Sequence, residues 1–174
     1  PFVAVDHVRA HMYSPHIEND IDYPYLGLLV SGGHTVISAV REFDDVEVLG
    51  TTIDDACGEA FDKVAKFFGF GFPGGIAIDE LARRGNDRAF SFPNPSLHKG
   101  EHRYDVSYSG LKTAVINQLE GFHNAGFEKS RENIAASFQK AAIDILLKRL
   151  YLAAEDTGLT RVVVGGGVAA NSYL

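Results

Sequence analysis

Apolar residues run unbroken in some stretches of this chain and recur at helical spacing in others. Tyr25–Ser31 (YLGLLVS) is a continuous apolar run bounded by Pro24, which predicts a buried strand. Thr35–Arg41 and Val46–Thr52 predict the next two strands, antiparallel and turned by Asp44-Asp45. Before them, Val3–Ile17 reads as a short strand followed by a helix. After them the period changes. Ile53–Gly69 places Phe61, Val64, Ala65 and Phe68 on one helical face. Gly69–Gly75 (GFGFPGG) is a loop and Ile76–Arg84 a short helix. Gly85–Tyr108, with Pro93 and Pro95, predicts irregular or hairpin structure. Leu111–Leu119 is helical. Asn133–Asp156 is a long helix directing Ile134, Phe138, Ala141, Ile145, Leu146 and Leu150 to a core. Arg161–Val164 is a β-branched strand that runs into Gly165-Gly166-Gly167, with Val168–Asn171 opening a helix. Three strands, a helical block and a further strand make an α/β chain with a helical insert.

The two glycine-rich turns change the picture most. Ser31-Gly32-Gly33 and Gly165-Gly166-Gly167 each end an apolar strand, where backbone without a Cβ can approach a flat or anionic ligand. Asn171 is placed at or near a helix N-cap, able to hold the turn or a ligand hydroxyl. Two such turns suggest a nucleotide held between them. Composition adds bounds. Hydrophobic residues make up 45% of the 174, enough for a globular core. A net charge of −7 argues against a general nucleic-acid surface. The single Cys57 cannot form an internal disulfide, which fits a reducing compartment. No apolar run approaches membrane-spanning length, and no stretch has the pattern of a signal peptide. A chain that begins at Pro1, carries only Met12 and stops at Leu174 as a helix opens reads as a segment of a longer protein.

Three constellations carry chemistry. His7 and His11 stand four apart on one helical face, a spacing that suits one metal ion. His7 is followed by Val8, so the His-Glu-x-x-His protease pattern is absent, and two surface histidines are the plainer reading of the spacing. His16, His34, His98, His102 and His123 carry no ligand spacing. Asp55, Glu59 and Asp62 share a helical face: a solvated stripe with Lys63 and Lys66 nearby and Asp54 or Asp55 as N-cap, or a carboxylate that reaches a substrate hydroxyl. Pro73-Gly74-Gly75 with Asp79 is a turn by default, and a close backbone approach if a ligand sits there. Ser107–Thr113 caps a helix or binds a phosphate, with capping the better reading.

In order, DHVRAH, LLVSGGHT, IDDACGEAFDKVAKFFG, FPGG, SYSGLKTAV and VVVGGGVAAN resemble the TsaD family of tRNA adenosine threonylcarbamoyltransferases over nearly the whole chain. The resemblance implies the actin/Hsp70/sugar-kinase fold, two RNase-H-like lobes with a ligand in the cleft between them. Residues 1–24 would end the first lobe and 25–174 begin the second, with strands over 25–52, a helical insert over about 53–157 and the glycine turn at 161–174. It implies transfer of a threonylcarbamoyl group from threonylcarbamoyl-adenylate to N6 of the adenosine 3′ to the anticodon in tRNAs reading ANN codons. TsaB and TsaE type subunits would be its partners, and the cytoplasm its location, bacterial in type, with a mitochondrial counterpart as the alternative. Carried over by motif, the metal ligands fall on His7 and His11, which reverses the plainer reading. Substrate contacts fall on Leu29, Val30, Ser31, Gly32, Gly33, Asp62, Gly75, Asp79 and Asn171. One divalent metal per subunit is implied, iron with zinc as the alternative, and its third protein ligand lies outside this stretch. Some members add a metal-binding Tyr where Leu29 stands, so that ligand is not expected.

The implied chemistry is acyl transfer, with adenylate leaving and the tRNA amine attacking. The Ser31–Gly33 turn would stabilise oxyanion charge, and no residue is assigned as general base. Two rivals are an ATPase or sugar kinase of the same fold and a non-catalytic partner subunit. Imidazole pairs do not suit the Mg²⁺ of phosphoryl transfer, and retention of His7, His11 and Asp62 speaks against a scaffold.

Overall fold

A computed structural model describes residues 2, 4–94 and 102–174. Four strands form one mixed sheet in the order β3-β2-β1-β4. β1 (Tyr25–Val30), β2 (Thr35–Val40) and β3 (Val46–Thr51) are a meander of antiparallel neighbours. β4 (Val162–Gly165) joins the other edge of β1 in parallel, pairing Leu26 with Val162 and Leu29 with Gly165. A parallel return needs a long crossover, and the helices between β3 and β4 supply it.

Both faces of β1 are covered, which is why its residues read as one apolar run rather than alternating. On one face Leu26, Leu28 and Val30 join Ile37, Phe61, Val64, Phe138 and Leu146 in the main core. Phe61 and Phe138 meet edge to face at 5.1 Å. The helices contributing here are α2 (Cys57–Phe68) and the 27-residue α5 (Arg131–Thr157), with α3 (Gly74–Ala82) and α4 (Ser109–Asn117) packed beside them. On the other face α1 (His7–Tyr13) lays Met12 against Tyr25 and Val40. The Met12 Cε stands 3.5 Å from where a Cβ on Gly27 would be. No helix among the described residues is long and apolar enough to cross a membrane. Mixed α/β architecture with a partial sheet agrees with the actin-like fold class expected for this chain.

Several boundaries differ from the sequence expectation. Residues 4–6 form no strand; Asp6 instead caps α1, accepting from the Arg9 N–H. Val3, Pro95 and His98 lie outside the described residues. α2 begins at Cys57, not Ile53, so Asp55 is off the helix and shares no face with Glu59 and Asp62. Ala56 is its N-cap, in place of Asp54 or Asp55. Its first N–H groups are buried and met from the β1–β2 hairpin: Thr35 Oγ1 accepts from Cys57 N at 2.9 Å and the Ser31 carbonyl from Gly58 N at 3.1 Å. The block between β3 and β4 is not wholly helical, since Thr52 bridges Val106 and Phe90 bridges His123. Residues 168–170 lie in a 3-10 turn (Gly167–Ala170) rather than an α-helix.

Candidate functional site

Parallel pairing of β1 and β4 brings their carboxyl ends to one edge, and each ends in a glycine turn. Ligands in open α/β sheets collect at that edge. The turns touch: a Cβ on Gly166 would stand 2.3 Å from the Val30 carbonyl oxygen, and its φ of +95° favours glycine. Between them and the helices lies a cavity of about 460 Å³, in the range of small-molecule sites. Gly32, Gly58, Phe61, Asp62, Gly75, Asp79, Arg83, Gly167 and Asn171 are among its walls.

The glycines divide into two kinds. Gly58 and Gly74 are required internally, because a Cβ would strike the Ser31 carbonyl oxygen at 2.7 Å and Asp62 Cα at 2.6 Å. Gly32, Gly75 and Gly167 have neither positive φ nor any atom within 4 Å of an added Cβ. Nothing inside the described fold demands glycine there, and all three line the cavity. A ligand lying on the backbone would account for them. Ser31 and Gly33 flank Gly32 without lining that cavity themselves.

The loop from Ser31 to His34 is self-closed. Ser31 N–H donates to the His34 carbonyl at 2.8 Å, and Ser31 Oγ accepts from His34 N–H at 3.0 Å and Gly33 N–H at 3.4 Å. The Gly32 N–H has no bonded partner among the described residues and stands at the cavity. Leu29 and Val30 are buried in β1, so only their backbone could serve a ligand, and that backbone is part of the sheet.

Asp62 spends Oδ1 on the Gly74 N–H at 2.7 Å, capping α3, and lines the cavity. Asp79 is more committed. Its Oδ1 accepts from both the N–H and the hydroxyl of Ser172, at 3.0 and 2.6 Å, and its Oδ2 meets Arg83 at 2.9 Å. Burial opposes its ionisation, but the Ser172 bonds and the Arg83 guanidinium outweigh that and hold its carboxyl below the usual range. Asn171 is no helix N-cap among the described residues: it follows the 3-10 turn, and its Oδ1 closes an Asx-type turn, accepting from the N–H groups of Tyr173 and Leu174 at 3.0 and 3.3 Å. Sequence reasoning passes over Arg83, although its i,i+4 spacing from Asp79 on a predicted helix is a readable signal.

His7 and His11 lie on the α1 face of the sheet. Their rings meet edge to face at 4.6 Å, and the His7 ring is 5.4 Å from that of His34. They are not among the residues that line the cavity, but they border both turns: His34 closes the Ser31–His34 loop beside His7, and the His11 carbonyl oxygen stands 3.0 Å from where a Cβ on Gly165 would be. Two imidazoles from successive helical turns are a donor set that suits iron or zinc. No group of three or more metal-ligating side chains occurs among the described residues.

Asp54 and Asp55 are structural. Asp54 accepts from Ser107 Oγ, Tyr108 N, Ser109 N and Ser109 Oγ, capping α4 from a distance. Asp55 pairs with Lys63 and Lys112, each at 2.6 Å. The Ser107–Thr113 segment is therefore held by a carboxylate of this chain.

Comparison with known proteins identifies the family. The family described as "TsaD: tRNA N6-adenosine threonylcarbamoyltransferase" matches residues 1–174. The chain is 65% identical over its full length to a protein of that name from Treponema denticola, covering 52% of that protein. It is 60% identical to one from Treponema pallidum, covering 49%, and 51% identical to one from Borrelia garinii subsp. bavariensis, covering 52%. It thus spans about half the length of these relatives. A family match over residues 1–174, with relatives 51–65% identical across the whole chain, places this chain in the TsaD family.

Proposed function

We propose that the protein containing this chain transfers a threonylcarbamoyl group from threonylcarbamoyl-adenylate to N6 of the adenosine 3′ to the anticodon in tRNAs reading ANN codons. It works in the cytoplasm with TsaB and TsaE type subunits. Residues 1–24 close the first RNase-H-like lobe, and 25–174 open the second. The observation that carries the reading is the cavity wall: three glycines with no internal reason to be glycine face one nucleotide-sized space at the carboxyl ends of β1 and β4.

The chain's own residues have distinct tasks. The adenylate lies along Gly75 and Gly167, its ribose hydroxyls within reach of Asp62, while Asn171 contacts the nucleotide. Asp79 acts through Ser172, since both its oxygens are engaged. The acyl end points to Gly32, whose unpaired N–H donates to oxygen as negative charge develops. His7 and His11 would hold one divalent metal beside the Ser31–His34 loop, iron or zinc, with a third ligand from the rest of the protein. Such an ion, when bound, supplies Lewis-acid polarisation of the acyl group.

The test is direct. Full-length protein with its partner subunits, tRNA and threonylcarbamoyl-adenylate should yield N6-threonylcarbamoyladenosine, detected by mass spectrometry of the digested tRNA. ADP release with sugar substrates and no modified nucleoside would instead establish the kinase reading.

A further inference from the structure

We infer that Gln139 is a positioning residue that fixes the amide of Asn171, so that Asn171 offers the cavity a hydrogen-bond donor and never an acceptor. This rests on the adenylate reading of the cavity.

Gln139 lies in α5 and is only 4% exposed. Its Oε1 accepts from Asn171 Nδ2 at 2.8 Å, across 32 residues of sequence. The other end of the Asn171 amide is committed as well. Oδ1 faces two backbone N–H groups, those of Tyr173 and Leu174. Two donors aimed at one atom require that atom to be oxygen, so the two ends of the amide cannot be exchanged. An amide has two acceptor lone pairs and two N–H donors. Both lone pairs are taken by the Tyr173 and Leu174 N–H groups, and one proton is taken by Gln139. What remains for a ligand in the cavity Asn171 lines is the second Nδ2 proton.

The consequence is chemical selectivity. The nucleotide must place an acceptor against Asn171: a ring nitrogen, a hydroxyl oxygen or a phosphate oxygen. A donor presented there would find no partner and carry a desolvation cost. Gln139 reaches the ligand only through Asn171. It anchors the residue after the second glycine turn to the longest helix, while Asp79 anchors Ser172 to α3.

The test is a mutant cycle in the full-length protein, read as dissociation constants for AMP and adenosine. Gln139→Met keeps length and apolar volume but removes the acceptor. Asn171→Asp keeps the turn-closing oxygen but removes the donor. Each should weaken AMP about five- to tenfold, the scale of one hydrogen bond, with the melting temperature near wild type. The double variant should lose no more than the worse single, because both act through one proton. Adenosine should follow AMP, which separates a lost donor from charge repulsion of the phosphate. Multiplying effects in the double variant, or a Gln139→Met protein that binds normally, would overturn the inference. If Gln139→Met does not fold, Asn171→Asp decides alone: unchanged affinity for adenosine overturns it. Failure of the wild-type protein to bind either probe would instead overturn the adenylate reading.

Discussion

At the residue scale, the glycines separate what folding requires from what a ligand requires. Gly166 has φ of +95° and its Cβ would meet the Val30 carbonyl, so Gly166→Ala should cost about 3 kcal/mol and lower the melting temperature clearly. Gly167→Ala, one residue on, should stay within about 0.5 kcal/mol of wild type in denaturant unfolding, since its Cβ enters open space. A large loss at Gly167 would mean that the space is filled by the fold. The sequence marks all three glycines of that turn alike. What distinguishes Gly166 is the approach of Val30 from β1, at the far end of the chain, and no local pattern encodes that contact.

At the element scale, capping decides the boundaries. Asp54→Ala should destabilise the protein by about 1–2 kcal/mol, because it strips four bonds from the start of α4. Burial works against ionisation of Asp54, yet the Ser107 hydroxyl, the Tyr108 N–H and the Ser109 bonds together hold its carboxyl below the ordinary range. A carboxyl lowered in the folded state stabilises fully above the unfolded-state pKa of about 3.9 and loses that contribution as pH falls through the folded value. The gap between wild type and Asp54→Ala, followed by thermal melting, should therefore be constant near neutrality and narrow below about pH 4. A gap that widens on acidification would contradict the assignment. The same long-range bonds explain why local signals misplace the start of α2. Asp54 and Asp55 look like N-caps locally, but one is spent on α4 and the other on Lys63 and Lys112, while Thr35 and Ser31 cap α2 from the hairpin loop. Strands β1–β3 are legible because their apolar runs and turns are local, and α5 because its stripe is long.

At the scale of the whole molecule, the parallel pairing of β1 with β4 assembles the site, and periodicity alone does not reveal it. The family resemblance supplies that arrangement, together with Asp62, Gly75, Asp79 and Asn171, all of which line one cavity. It also groups His7 and His11 with them; in the structure that pair neighbours His34 and Gly165 at the ends of the two turns without lining the cavity itself. Replacing both histidines with Ala in the full-length protein should remove the bound metal, read by elemental analysis, and abolish transfer while circular dichroism stays unchanged. Metal retained by the folded double variant would refute the ligand assignment. The 174-residue chain by itself should hold metal weakly and show no transfer above background, since two ligands leave a site open. The central claim is that the cavity between the glycine turns is where the acyl donor lies. Its most direct test is the transfer rate of a full-length Gly32→Ala, Gly75→Ala, Gly167→Ala triple variant beside wild type. The account predicts an unchanged melting temperature with transfer reduced at least about a hundredfold, as three methyl groups occupy the ligand's place. A triple variant that folds and transfers at the wild-type rate would contradict it.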